Sequence, residues 1–173
     1  VAAMLGLTYP GGPSIQRAAE GGNRRAYRFP RAFLHDDERL DFSFSGLKTA
    51  VRYTIAGPGK PIPKDVNLSQ TQKADLAASF QEAVIDCLVD KAFAALRKTE
   101  MHTLCIGGGV AANARLRERF TEQAEKENVR LHIAPLRLCT DNAVMGAIAV
   151  ERMKAGLIED LDLEVYPGVI RAT

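Results

Sequence analysis

The sequence predicts an α/β fold with a mostly parallel sheet. Two short apolar stretches, residues 102–107 and 129–135, are each followed by a stretch with helical periodicity, residues 110–128 and 141–156. Strands and helices that alternate at this spacing form parallel sheets joined by right-handed crossovers. The first strand is apolar along its whole length, which predicts that both of its faces are buried.

A long apolar run before the predicted sheet indicates a single helix over residues 71–97. Leu68, Ser69 and Gln72 supply a hydrophobic staple and a capping box at its start. Its polar residues fall on one narrow stripe, so we expect most of the helix circumference to be buried. The stripe consists of Asp75, Ser79, Glu82, Asp86 and Asp90.

The first 22 residues predict short helical pieces around a turn. Residues 1–7 are typical of the tail of a helix, and residues 14–22 form a short helix that ends in glycines. Between them, the proline and glycine residues 10–13 predict a turn, because such residues do not continue a helix or a central strand. The chain begins within an apolar run and without an initiator methionine, so we expect it to be part of a longer protein.

Residues 23–40 lack a clear period and predict irregular structure. The four arginines Arg24, Arg25, Arg28 and Arg31 surround Tyr27 and Phe29. Arginines with aromatic rings can hold phosphates and stack unpaired bases of RNA. The alternative is a solvated edge strand whose aromatic rings belong to the core.

An alternation of apolar and polar residues follows. Leu40, Phe42 and Phe44 alternate with polar residues, which predicts an extended segment. The chain then turns at Gly46 into a helix, and a proline-rich loop follows this helix.

Composition allows one domain or one large half of a two-lobed protein. The chain has 173 residues, of which 46% are hydrophobic and 25% charged, so it can bury a core. The net charge of +2 permits a nucleic-acid partner without arguing for one. No apolar run reaches the roughly 18 residues that a membrane span needs. We therefore expect a cytoplasmic protein with no membrane partner.

Cysteine and histidine patterns argue against a metal site built by this chain alone. Cys87, Cys105 and Cys139 are widely spaced in apolar surroundings, which predicts reduced core residues. His102 and His132 flank the predicted strands, and we expect them in the core or at its edge. Any metal site would need ligands from outside this chain.

The three consecutive glycines Gly107, Gly108 and Gly109 lie between the first strand and its helix. Free N–H groups at a helix N-terminus attract anions, and glycine allows a phosphate to approach the backbone. The stretch fits neither the P-loop nor the dinucleotide motif. A turn that only packs helix against sheet is an equal alternative. Asn113, one helical turn further on, could bond a ribose, a base edge or only the backbone.

Asp141 and Asn142 open the last predicted helix, at the edge of the sheet where ligand sites of α/β proteins collect. Thr140 or Asp141 could be an ordinary helix cap. The carboxylate of Asp141 could also be a metal ligand. The small residues that follow indicate that this helix packs closely against another surface.

Four motifs follow one another along the chain: YPGGP, DFSFSGLKTAV, IGGGVAANARLR and CTDNAVMGAIA. In this order and at similar spacing they resemble the TsaD family, which is also called Gcp or YgjD in bacteria and Kae in archaea. The resemblance implies an actin/Hsp70/sugar-kinase-like (ribonuclease H-like) fold of two lobes. This chain would be the C-terminal lobe, with residues 1–66 as a helical, irregular insertion and lobe entry and residues 67–173 as the α/β core. The N-terminal lobe would be absent.

The resemblance also implies an activity and its site. The family transfers a threonylcarbamoyl group from threonylcarbamoyl-adenylate to N6 of the adenine beside the tRNA anticodon. Gly12, Asn113 and the glycines Gly107 to Gly109 match nucleotide-binding positions, and Asp141 matches a ligand of one divalent ion, Fe or Zn. The two histidine ligands would lie in the missing lobe, so the fragment alone would be inactive.

The resemblance leaves some roles open. No catalytic residue is assigned, and Ser43, Ser45 and Lys48 lie in a family motif without a role. TsaB-like and TsaE-like proteins are the expected protein partners, beside tRNA and ATP. The alternatives are an ATP-dependent kinase of the same fold or a non-catalytic TsaB-like subunit. An older label of the family is O-sialoglycoprotein endopeptidase, but this sequence shows no set of protease residues.

Overall fold

A computed structural model describes residues 1–61, 67–160 and 162 of the chain. These residues contain five α-helices and one sheet of two parallel strands, which confirms the predicted α/β class. In chain order the elements are α1 (Gly11–Ala19), α2 (Leu47–Ala56), α3 (Gln70–Thr99), β1 (Thr103–Ile106), α4 (Ala114–Lys126), β2 (Arg130–Ile133) and α5 (Ala147–Lys154).

Helix α4 is the crossover between the two strands. The register pairs Thr103 with Arg130 and Ile106 with Ile133. The chain forms two compact units, one over residues 1–140 and one that begins at Asp141. The domain boundary predicted between residues 66 and 67 borders residues outside the described part, and it stays a prediction.

Helix α3 confirms the long helix predicted from the sequence. It spans 30 residues, and Ser69 and Gln72 form the predicted capping box. The hydroxyl of Ser69 accepts from the Gln72 N–H at 3.1 Å, and the Gln72 side chain accepts from the Ser69 N–H at 2.9 Å. Two neighbouring core clusters lie along this helix.

The first half of α3 packs with the N-terminus, α1 and α2, and the second half packs with α4 and the strands. The buried residues of the first cluster are Leu5, Phe29, Leu47, Val51, Leu76, Ala77 and Ala83. Those of the second are Ile85, Val89, Phe93, Leu96, Leu116, Phe120 and Ala124.

The polar stripe of α3 supports the irregular segment of residues 23–38. Asp75 accepts the N–H of Asn23 at 2.7 Å, and Asp90 accepts that of His35 at 3.1 Å. Ser79, which is 1% exposed, accepts from the Tyr27 N–H and donates to the Asn23 carbonyl. The stripe therefore supplies hydrogen bonds that this segment does not obtain from secondary structure.

The turn predicted at residues 10–13 is wrong, because α1 begins there. Helix α1 begins at Gly11, with Pro10 as its N-cap and Pro13 in its first turn. A proline in the first turn lacks only an N–H that would have no partner within the helix. The N-terminal helix tail is a short 3-10 helix, Ala2–Leu5, which ends at Gly6 in the left-handed conformation.

The prediction that β1 is buried on both faces is wrong for this chain. Side chains of both strands alternate between exposed and half-buried positions, because only one face lies on the core. Cys87 and Cys139 are buried as predicted, whereas Cys105 is exposed on the open face. His132 lies exposed beside it, and His102 is also exposed.

The extended segment around Phe42 and Phe44 pairs with no strand in the described part of the chain. Both rings are exposed in part, between 41% and 55%, and Leu40 is 37% exposed. Gly46 adopts a positive φ of 79° at the start of α2, which confirms the predicted turn into a helix.

The second unit starts with a 3-10 helix, Ala143–Gly146, that leads into α5. The helix predicted over residues 141–156 therefore exists, with a tighter first turn. Across the described residues, no helix is both long and apolar enough to cross a membrane.

Candidate functional site

An apolar pocket brings together three distant parts of the sequence. It has a volume of about 120 Å³ and lies between α1, α3 and the start of α4. Its lining residues are Gly12, Ile15, Phe80, Gln81, Val84, Ile85, Leu88, Val110, Asn113 and Leu116. Two residues predicted to bind a nucleotide, Gly12 and Asn113, thus meet at one cavity.

Asn113 is the N-cap of α4, rather than a residue one turn inside a helix. The predicted helix of residues 110–128 is interrupted, because residues 109–112 form a separate 3-10 helix. The Asn113 Oδ1 accepts the Leu116 N–H at 2.9 Å, and its Nδ2 donates to Gln81 Oε1 at 2.8 Å. An amide has two donors and two lone pairs, so one donor and one lone pair stay available to a ligand.

Two glutamines position the start of α4. Gln81 on α3 orients the amide of Asn113, as described above. Gln16 on α1 accepts the N–H of Ala114 at 3.0 Å, which satisfies a second free donor of the helix start. The wall of the pocket is therefore fixed by side chains from both neighbouring helices.

An ion-pair group holds α4 against α3 beside this contact. Arg115 donates to both carboxylate oxygens of Glu82, at 2.9 and 2.7 Å, and to Glu118 at 2.6 Å. Burial disfavours the ionised form of Glu82, but the hydrogen bond and charge of Arg115 outweigh it and keep the pKa of Glu82 below its ordinary value. The hydrogen bonds that Arg115 donates to Glu82 in turn raise the pKa of Arg115.

The glycine turn lies next to the pocket. Gly108 precedes the 3-10 helix and has a φ of 84°, a backbone conformation that favours a residue without a Cβ. Within the described residues, the N–H groups of Gly108, Gly109 and Val110 donate to no acceptor. Arg117 fixes this turn, since it donates to the carbonyls of Ala111 and Ala134 at 2.6 Å each. The turn can therefore offer backbone donors to an anion.

Gly12 lies in the first turn of α1 at the mouth of the pocket. A Cβ built on Gly12 would meet no atom within 4 Å, so the fold itself does not require glycine here. The bare backbone leaves the pocket open on this side.

Asp141 is not a helix cap. Asn142 caps the following 3-10 helix, because its Oδ1 accepts the Val144 N–H at 3.0 Å. Within the described part of its unit, the carboxylate of Asp141 has no hydrogen bond or ion pair. No group of three or more His, Cys, Asp or Glu residues in the described chain could hold a metal ion. Asp141 can thus supply one ligand, and the described residues do not complete a metal site.

The rings of Tyr27 and Phe29 are not free to stack on bases. Phe29 is 5% exposed and Tyr27 packs beside it, with ring centroids 6.2 Å apart. The alternative interpretation is right about the rings, but no edge strand forms there. Arg31 pairs with Asp86 at 2.6 Å, whereas Arg25 and Arg28 are exposed.

Several residues of the site have no signal in the sequence. Gln16 and Gln81 are single glutamines on helices, and only their partners show what they do. Phe80 and Val84 belong to the apolar majority of α3, which sequence analysis assigned to the core as a whole. A pocket between helices depends on how the helices pack, and a local sequence motif does not indicate that packing.

The comparisons with known proteins agree on one family. The family model for TsaD, described as tRNA N6-adenosine threonylcarbamoyltransferase, matches residues 1–148. A protein of that name from Rhodopirellula baltica is 47% identical over 180 residues, which cover 99% of this chain and 50% of the relative. One from Desulfitobacterium hafniense is 51% identical over 172 residues, with 99% and 47% covered. The chain spans about half the length of the curated relatives it matches.

Proposed function

The chain belongs to the TsaD family, and we propose that it supplies the C-terminal half of a tRNA N6-adenosine threonylcarbamoyltransferase. In this reaction the N6 amine of an adenine attacks the carbamoyl carbonyl of threonylcarbamoyl-adenylate. A C–N bond forms, the bond between the carbamoyl carbon and the phosphate oxygen breaks, AMP leaves with that electron pair, and the N6 amine releases one proton. The full-length protein is the enzyme, and this half contributes to the substrate site. The family match favours this transfer over a kinase or a TsaB-like subunit.

One observation carries the assignment of the site. Gly12 and Asn113 are 101 positions apart in the sequence, yet both line the apolar pocket. The other lining residues are mostly apolar, as suits the flat face of an adenine ring. The adenosine part of the adenylate would enter this pocket, and the free donor and lone pair of Asn113 would bond it.

The glycine turn would hold the phosphate of the adenylate. Gly107, Gly108 and Gly109 lie next to Val110, which lines the pocket. The unpaired N–H groups of this turn suit an anionic oxygen, and a backbone held by Arg117 would need little reorganisation when the ligand binds. A base in the pocket and a phosphate on the turn would be contacts of one ligand.

Asp141 would be a metal ligand in the full-length protein. Its carboxylate is not used as a cap, and a hard oxygen suits a divalent ion such as Fe or Zn. Its partners would come from outside this chain. A bound ion of this kind polarises a carbonyl as a Lewis acid.

The family also suggests the partners of the full-length protein. The acceptor would be tRNA, and TsaB-like and TsaE-like proteins would assist the reaction. A cytoplasmic location would bring the enzyme to this tRNA. Residues 1–66 would be the entry to the lobe and residues 67–173 its core.

Replacing Asn113 by serine tests the nucleotide site. Serine is a helix N-cap as good as asparagine, so α4 keeps its cap while the amide is lost. Asn113→Ala is a poorer choice, since the loss of the cap alone costs about 0.5–2 kcal/mol of stability. In the full-length protein we expect Asn113→Ser to weaken adenylate binding by about 1–3 kcal/mol, measured by calorimetry.

Asn67→Ser is the matched control, because Asn67 is exposed and does not line the pocket. It should leave both adenylate affinity and melting temperature unchanged. Equal adenylate affinity in both variants and the wild type would reduce Asn113 to a helix cap.

A further inference from the structure

A second, strongly charged cleft lies on the same unit and has no part in the proposed nucleotide site. It has a volume of about 660 Å³ and lies between the segment that starts at Gly22, α3 and α4. We call it the arginine cleft. It is lined by Gly22, Asn23, Arg24, Arg25, Arg31, Glu82, Asp86, Arg115, Arg119 and Glu122. Five arginines thus face three carboxylates, which leaves a formal surplus of two positive charges.

Two of the five arginines are committed to the fold. Arg115 forms the bidentate pair with Glu82 described above, and its side chain is 13% exposed. Arg31 donates to Asp86 at 2.6 Å and to the Phe29 carbonyl at 3.1 Å. These two pairs involve Glu82 and Asp86, and Glu122 is the third carboxylate of the cleft.

The other three arginines have donors to spare. The Arg24 side chain is 50% exposed, and its Nε lies 3.9 Å from Glu82, beyond hydrogen-bond distance. Arg25 is exposed, and its guanidinium has no ion pair with any described residue. Arg119 donates to Glu122 at 2.8 Å, but its Nη2 is 3.8 Å from Asp86. Among the described residues, the Arg119 Nε is the one buried side-chain nitrogen or oxygen without a hydrogen-bond partner.

We propose that the arginine cleft binds phosphates of an RNA backbone through Arg24, Arg25 and Arg119. A planar guanidinium offers paired N–H donors that match a phosphate group. Arg24 and Arg25 follow each other at an open rim, with the exposed Arg28 nearby in the sequence. An open rim with several cations fits a polyanion better than one small anion, which needs an enclosed site. The inference rests on the proposed function, in which tRNA is the acceptor.

The test is the salt dependence of tRNA binding to the full-length protein. The variant Arg24→Gln/Arg25→Gln removes two charges that make no hydrogen bond within the described fold. Each phosphate contact contributes about 0.7–0.9 to the slope of log affinity against log salt. We expect the slope to fall by about 0.7–1.8 and the affinity at about 0.1 M salt to fall roughly 5- to 60-fold. Adenylate affinity should not change.

Lys126→Gln/Arg130→Gln is the matched control, since it removes two exposed charges outside the cleft. It should leave the salt slope close to that of the wild type. Arg119→Lys keeps the charge but loses the planar pair of N–H donors, and it should weaken tRNA binding while the protein stays folded by circular dichroism.

Two results would overturn the inference, and they differ in meaning. If the wild type binds tRNA and the Arg24/Arg25 variant shows the same salt slope, the cleft is only a structural ion-pair group and the proposed function stands. If the wild type does not bind tRNA at all, the proposed function fails and the inference fails with it.

Discussion

Gly12 and Gly22 differ in whether the fold requires a residue without a side chain. A Cβ on Gly22 would lie 2.3 Å from the Ala74 carbonyl oxygen and 3.0 Å from the Ala78 Cβ. The segment that leads to residue 23 can therefore approach α3 only because residue 22 has no side chain. Gly12 has open space at the same position, and its neighbour is the pocket.

Alanine at these two positions should separate folding from binding. We expect Gly22→Ala to lower the free energy of unfolding by about 1–3 kcal/mol, the usual cost of overpacking, because backbone must move. Gly12→Ala should leave the free energy of unfolding unchanged or slightly higher, but it should weaken adenylate binding because the methyl group narrows the pocket.

Urea denaturation and calorimetry of the full-length variants measure both effects. Each variant is the control of the other, since both add the same methyl group. A Gly12→Ala protein that binds adenylate like the wild type would remove Gly12 from the site. A Gly22→Ala protein of unchanged stability would mean that the contact with α3 relaxes without cost.

The sequence predicts that Asp141 is either a helix cap or a metal ligand, and the structure gives the cap to Asn142. Because Asn142 is the cap, we expect Asp141→Asn to leave stability unchanged. In the full-length protein the neutral amide should lower the metal content, measured by elemental analysis, and tRNA modification should fall with it. Asp160→Asn is the control, since Asp160 is another exposed aspartate of the same unit. Normal metal content in Asp141→Asn would exclude Asp141 as a ligand.

At the scale of elements, the attachment of α4 to α3 depends on ionised Glu82. The pKa of Glu82 is lower in the folded protein than its ordinary value. A group of this kind stabilises the fold above its unfolded pKa of about 4.3, and the contribution is lost as the pH falls through the folded pKa. The contact is therefore complete at neutral pH and weakens in acid.

The variant Glu82→Gln measures this contribution. We expect it to lower the free energy of unfolding by about 2 kcal/mol at pH 7, since hydrogen bonds to charged groups contribute about 1.5–3 kcal/mol. The difference from the wild type should shrink as the pH falls below the unfolded pKa of about 4.3, because the unfolded chain then takes up a proton more readily than folded Glu82 does. Denaturant titrations over a range of pH give both values.

Glu118→Gln is the comparison, because Glu118 pairs with the same arginine but is 54% exposed. An exposed pair contributes at most about 1 kcal/mol, so this variant should change stability little. An equal effect of the two variants, or a Glu82→Gln difference that persists in acid, would contradict the role given to Glu82.

Elements were predictable where local chemistry decides them. The capping box and apolar run of α3 act within a few turns, so its start, Gln70, lies within one residue of the prediction. The start of α1 was not predictable, because its first three residues, Gly11, Gly12 and Pro13, are typical of a turn. Likewise Asn113 ends the 3-10 helix and caps α4, and a periodic pattern does not show a break between two consecutive helices.

At the scale of the whole molecule, motifs predicted more than periodicity did. Four short motifs identified the family and with it the ribonuclease H-like fold, and the family model matches residues 1–148. The parallel strand pair agrees with that fold. The sequence did not predict the open face of β1. An apolar strand indicates that both faces can be buried, but not whether this chain supplies the residues that bury them. The apolar pocket lies between three elements that are distant in the sequence, so its arrangement could not be predicted from the sequence either.

Helix α3 and the segment of residues 23–38 contribute different groups to the hydrogen bonds between them. The helix contributes side chains, whereas the segment mostly contributes backbone N–H and C=O groups. Asp75, Ser79 and Asp90 bind backbone N–H groups, and Lys91 donates to the Asp36 carbonyl at 2.7 Å. Every residue except proline presents the same N–H and C=O, so many sequences of the segment could keep these bonds. We therefore expect sequences of this family to vary more in the segment than in the polar stripe of α3. The segment should keep the same backbone shape even where its sequences are too different to align.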